Sequence, residues 1–114
     1  MDADIIVKNN PDRGRYELLD EGAVVGRASW VSFDGPGGSE RIFFHTTVDE
    51  DHAGQGLAST LVRQAVADTA RAGIGIVAVC PYVTSWLSKH SEQPGVVAAR
   101  PEHRAAVPSA EPTA

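Results

Sequence analysis

The sequence predicts one small α/β domain: a mixed, strongly twisted sheet of about five strands with two helices. Three observations predict it. Four extended runs separated by turn signals occupy residues 5–48, the apolar spacing changes to a helical period near residue 56, and a continuously apolar run follows at 74–79. Strand, helix and buried strand in that order form a βαβ unit, whose right-handed crossover makes the two strands parallel. A chain of 114 residues holds one such core and is too short for two.

Ile5-Ile6-Val7 is β-branched and stopped by Asn9-Asn10-Pro11, so it reads as an edge strand. Residues 15–19 and 23–33 flank Asp20-Glu21-Gly22, a turn signal, and predict a hairpin. In the second run Val25, Arg27, Ser29 and Val31 share one face, while Val24, Gly26, Ala28 and Trp30 take the other. Residues 34–39, with three glycines and Pro36, break the strand. Residues 41–48 then alternate strictly, with Ile42, Phe44, Thr46 and Val48 on one side and Phe43, His45 and Thr47 on the other. Leu57, Leu61, Val62, Ala65, Val66 and Thr69 fit a helix from about Gly56 to Arg71, ended by Gly73. Residues 74–79 read as a strand covered on both faces. A short helix follows from about Tyr82 to His90. From Gln93 onward Ala, Pro, Glu and Arg dominate, so residues 1–92 are expected to form the domain and 93–114 an unordered tail.

Composition narrows the function. At 42% hydrophobic and 22% charged, the chain has the balance of a soluble globular protein. Acidic residues outnumber basic ones by 15 to 10 and no basic stripe is visible, which argues against a nucleic-acid binder. One cysteine, Cys80, excludes an internal disulfide and a multi-cysteine zinc site. No metal is expected. The acidic start Met1-Asp2-Ala3-Asp4 is unlike a signal peptide, and no apolar run reaches the ~20 residues that span a bilayer. The simplest location is the cytoplasm, with no membrane partner.

The most informative stretch is Asp49-Glu50-Asp51-His52-Ala53-Gly54-Gln55-Gly56-Leu57-Ala58, between a strand and a helix. Glycines admit close backbone approach, and the free N–H groups of a first helical turn suit a pyrophosphate. A glycine-rich turn is also ordinary structural punctuation. For an anion to bind, the acidic run 49–51 must point outward.

Residues 45–62 resemble the CoA-binding motif of the GCN5-related N-acetyltransferases, in which Gln or Arg, two residues, Gly, one residue and Gly or Ala follow a strand. Ala53, Gly54, Gln55, Gly56, Leu57 and Ala58 occupy those places, with Ala53 where Gln or Arg is usual. His45-Thr46 before the turn, and Cys80-Pro81-Tyr82-Val83 with Trp86 after the next strand, are similar to the small stand-alone subfamily. There His-Pro-Glu-Tyr usually follows, whereas here His90 precedes Ser91-Glu92-Gln93. The likeness spans roughly residues 5–92. It implies the compact acyl-CoA N-acyltransferase fold without the first two helices of larger relatives, because residues 7–15 leave room only for a turn. The acceptor site should then be shallow, open or completed by a partner.

The resemblance also implies acetyl-CoA as co-substrate, held by Thr47, Val48, residues 53–58, Pro81, Tyr82 and Trp86. Its catalytic pair would be Cys80 and His45. A thiol near a helix N-terminus is favoured as thiolate, although a small buried hydrophobe is an equally ordinary role for cysteine. His45 would deprotonate Cys80 or an incoming amine, or else is a strand histidine bonded to a neighbour. Tyr82 and Trp86 share a helix face, which suits core packing or a grip on the pantetheine arm. Trp30 reads as core, His52 as a packing or solvent-facing residue, and His90 and His103 as helix-end and tail residues. Two chemistries stay open: direct attack of an amine on the thioester, or transfer through an acetyl-Cys80 intermediate. The rival from another class is a non-catalytic CoA-binding regulatory or interaction module. The amine acceptor, whether small molecule or protein, and the oligomeric state are not legible.

Overall fold

A computed structural model describes residues 5–52 and 56–108. Strands β1 (Ile5–Asn10), β2 (Arg15–Asp20), β3 (Ala23–Gly35) and β4 (Gly38–Val48) form an antiparallel meander. A 3-10 turn (Glu50–His52) leads toward α1 (Leu57–Arg71), which returns the chain to β5 (Gly75–Ala78), parallel to β4. Helices α2 (Pro81–Ser88) and α3 (Pro101–Ala106) follow. The sheet order is simply β1-β2-β3-β4-β5.

Turn chemistry explains the meander. Glu21 and Gly22 sit at φ 52° and 88° between the paired Asp20 and Ala23, a two-residue loop whose twist matches the strands it joins. The glycine-rich segment expected to break the chain is instead mostly strand. Gly35 pairs with Gly38, and only Pro36 and Gly37 turn. Glycine at 35 leaves room for the Glu40 carboxylate, which a Cβ there would push aside.

Strict alternation fails at two bulges. Leu18 faces Gly26 while Leu19 faces Val24, so Val25 is an extra residue. Val25 therefore shares the core with Ala28 and Trp30, contrary to the periodic reading. Likewise Ser29 faces His45 while Trp30 faces Phe43, which makes Phe44 the extra residue in β4. Below this bulge Phe43 enters the core; above it Val48 does. Both strands change parity where the hydrophobic pattern alone predicts none.

One sheet face carries Tyr16, Leu18, Phe43 and Ile76 against Leu61, Val62, Ala65 and Val66 of α1 and Val83 and Trp86 of α2. A polar lock lies within that layer. Arg41 donates to the Tyr16 hydroxyl at 2.8 Å and to Thr69 Oγ1 at 3.2 Å, and its guanidinium lies 4.1 Å from the Trp30 ring centroid. Tyr16 in turn donates to Asp68 at 2.5 Å, so α1 is tied to three strands.

The expectation of an unordered tail from residue 93 is corrected through residue 108; residues 109–114 lie outside the described residues. Ile76 N–H donates to Gly95 O and Val97 N–H to Ile76 O, both at 2.8 Å, which extends the sheet by one bridge. Beyond it, α3 packs on β3, and His103, read from sequence as a tail residue, is fully buried. Its Nδ1 accepts from the Arg100 N–H at 3.0 Å, so Nε2 carries the proton and donates to Glu40 at 2.6 Å. A polar pairing with a residue 63 positions away is invisible to local composition.

Candidate active site

The two parallel strands part early. Their ladder ends where Phe43 faces Ala78, and the Val79 and Cys80 N–H groups both donate to Phe43 O, at 2.9 and 3.0 Å. From Phe44 to Val48, β4 runs on with no β5 partner. The bulge at Phe44 and the turn into α2 at Cys80 bend the strands apart at the same level. The result is a gap whose β4 side offers unpaired backbone amides and carbonyls.

The turn toward α1 opens at the end of that gap. Ala53, Gly54 and Gln55 lie outside the described residues. Gly56 adopts φ 74°, a left-handed conformation suited to glycine, and open space surrounds the position a Cβ would take. Among the described residues no side chain caps α1, and no acid stands in its first turn, so Leu57, Ala58 and Ser59 present the N–H groups of the helix start. Asp49, Glu50 and Asp51 are exposed, the outward position that anion binding requires. His52 is held by Asp20 at 2.9 Å, which ties the turn to β2. These residues fit a pyrophosphate-bearing ligand.

Cys80 caps α2, with Pro81 in its first turn, and is 4% exposed. The thiol donates to Thr46 Oγ1 at 3.4 Å. Trp86 is buried against the core, donates its indole N–H to Ser59 Oγ at 3.0 Å and stacks on His90 at 3.8 Å. It thus fixes α2 to the first turn of α1. Tyr82 packs partly buried against the same core, and Pro81 is exposed. Val48 lies on this side with Thr46.

His45 and Thr47 are turned the other way. With Arg13, Arg15, Arg27 and Phe44 they line a cleft of about 610 Å³ on the opposite sheet face. The residue that meets Cys80 is therefore Thr46, and His45 is separated from the thiol by the pleat. Sequence reasoning missed Thr46, although its alternation with His45 and Thr47 already assigned it the other face. It also missed the three arginines: Arg13 and Arg15 are near neighbours, but Arg27 joins them only when β2 and β3 pair. Arg15 is bound to Glu17 at 2.9 Å. Partial burial draws the Glu17 carboxyl upward, but hydrogen bonds from Arg15 and Asn10 outweigh it and hold it below the ordinary carboxylate range.

Residues 15–96 match the model of the GCN5-related N-acetyl-transferase family, and the chain belongs to that family. Its fold supports acetyltransferase activity in general. Among solved structures, a GCN5-like protein from Staphylococcus aureus matches with a TM-score of 0.61 at 20% identity, over 89% of this chain and 96% of that one. A ribosomal-protein-alanine N-acetyltransferase from Brucella melitensis biovar Abortus 2308 matches at 0.53 and 22% identity, over 75% of this chain and 66% of that one. An aminoglycoside acetyltransferase from an uncultured soil metagenomic sample also reaches 0.53, at 14% identity, over 88% of this chain and 60% of that one. The chain thus spans nearly all of the first relative and under two thirds of the last two. No curated protein matches it. Among the described residues, no helix is long and apolar enough to cross a membrane.

Proposed function

We propose that this protein transfers an acetyl group from acetyl-CoA to an amine. The observation that carries the proposal is the coincidence of the β4–β5 gap with an uncapped α1 start a few residues further on. Residues 56–59 would receive the pyrophosphate, Trp86 and Tyr82 would border the pantetheine arm, and residues 44–48 would hold the thioester carbonyl by backbone N–H donation. Acetyl-CoA supplies an activated acyl group. Everything else is positioning by the chain.

Direct transfer fits the geometry better than a covalent intermediate. An amine in the cleft of His45 attacks the carbonyl carbon, a C–N bond forms, the C–S bond breaks and CoA leaves as thiolate. His45 takes the proton released by the amine, directly or through water. The thiol of Cys80 faces Thr46, whose hydroxyl is no general base at neutral pH, so an acetyl-Cys80 route lacks a proton acceptor in contact with sulfur.

Calorimetric titration with acetyl-CoA, followed by intact mass, tests this. Expected are binding, no acetyl adduct on Cys80, and affinity reduced at least tenfold in Gly56→Val, where φ 74° strains a β-branched residue. An adduct lost in Cys80→Ala would establish the covalent route. Binding without turnover on any amine would indicate a CoA-binding module, and no binding would refute the proposal.

A further inference from the structure

The acceptor side of the sheet has an electrostatic character opposite to that of the chain. The protein carries a net charge of -5, which by itself favours a cationic partner. The His45 cleft nevertheless gathers three guanidiniums, from Arg13, Arg15 and Arg27, against one lining carboxylate, Asp12. Glu17, which faces Arg27 across the β2–β3 pair, is engaged by Arg15 and Asn10 and makes no hydrogen bond to Arg27 among the described residues. Arg27 is the decisive group: its Nε is buried and, among the described residues, has no hydrogen-bond partner. A buried donor left unpaired costs on the order of 1–3 kcal/mol, and more when charged. The β3–β4 pairing gives this feature its place. Arg27 faces Thr47 and Ser29 faces His45, so Arg27 and His45 are diagonal neighbours on one face, roughly 7–8 Å apart along the backbone.

We propose that the cleft selects an acceptor amine bearing an anionic group, carboxylate or phosphate, a few bonds from its nitrogen. Arg27 grips the anion with Arg13 beside it, which brings the amine to His45. A guanidinium suits either anion because its fork of N–H donors matches two oxygens at once. Polyamines and aminoglycosides, as polycations, would meet like charge at the same wall. A volume of about 610 Å³ accommodates an amino acid or a short acidic peptide end. This substrate class rests on the acetyltransferase reading, but the site itself does not.

The test is therefore binding to the full chain without acetyl-CoA, followed by amide NMR shifts of Ser29, His45 and Thr47. Three probes are titrated: L-glutamate, O-phosphoethanolamine and spermidine. Saturable shifts are expected with one or both anionic amines and not with spermidine, and the responding probe separates carboxylate from phosphate. Arg27→Gln should weaken binding at least tenfold, Arg13→Gln less, and the remote Arg71→Gln not at all. If Arg27→Gln fails to fold, Arg13→Gln and the probe ranking decide. Spermidine binding as well as the anionic amines, no saturable shift with either anion, or unchanged affinity in the folded Arg27→Gln protein would overturn the proposal. Acetyl-CoA binding in the same samples is scored separately, so failure of the enzymatic reading is distinguishable from failure of the anion site.

Discussion

Tyr16 carries its hydroxyl to the base of α1, where it donates to Asp68 and accepts from Arg41. Burial, reinforced by the hydrogen bond to Asp68, raises its pKa above the ordinary 10.0. The folded state thus holds the phenolic proton more tightly than the unfolded chain. That contribution is complete below pH 10.0 and is lost as pH rises through the higher folded value. Urea unfolding at pH 8, 10 and 11 should show stability falling above pH 10 in the native protein and a shallower fall in Tyr16→Phe. At pH 8 the substitution should itself cost about 1–3 kcal/mol, because Asp68 and Arg41 lose a buried partner. Equal alkaline slopes in the two proteins would contradict this account. Cys80 illustrates the same scale differently. Its type and place were legible beside Pro81, but its neighbour Thr46 was decided by which way one pleat turns.

At the scale of elements, the C-terminal segment is the largest departure from expectation. Its composition is poor in apolar anchors, yet Val96 bridges β5 and His103 closes on Glu40 beneath Phe33. The hairpin turn makes room for that contact, since Gly35 leaves the Glu40 carboxylate space that any Cβ would fill. Two substitutions at distant positions should therefore weaken one latch. His103→Ala strands a buried carboxylate and is expected to cost about 2–3 kcal/mol. Gly35→Ala forces Glu40 aside, with an expected cost of about 1–3 kcal/mol. The double variant should lose less than the sum, because both act on the same pair. Full additivity in a denaturation cycle would mean that the two sites are not coupled. The β2–β3 hairpin, by contrast, was readable because Asp20-Glu21-Gly22 imposes its turn locally. The bulges at Val25 and Phe44 were not, because a bulge is a relation between two strands.

For the whole molecule, the sheet divides labour between its faces. One face is sealed by α1 and α2 and carries the helix start, the β4–β5 gap and Cys80. The other is covered by α3 at one end and left open at the His45 cleft, in keeping with the missing helices that residues 7–15 cannot supply. A ligand that bridges α1, β4 and α2 should stabilise the fold as a unit. Acetyl-CoA at about one hundred times its dissociation constant should add about 2.7 kcal/mol to unfolding and raise Tm accordingly. Gly56→Val should abolish most of that rise, measured from the variant's own unliganded Tm, which the strained valine lowers. A rise of the same size in the variant would place the ligand elsewhere.

The sequence by itself determined the α/β class, the strand–turn–helix around Gly56 and the residues of the Cys80 turn, because each depends on contacts within a few positions. It could not decide which catalytic candidates meet, that Arg27 shares one wall with Arg13 and Arg15, or that the last segment folds back. Those depend on strand register, on parity changes at two bulges and on pairings between residues far apart in the chain. The physical reason is that local periodicity specifies a side chain's face only until an inserted residue reverses it.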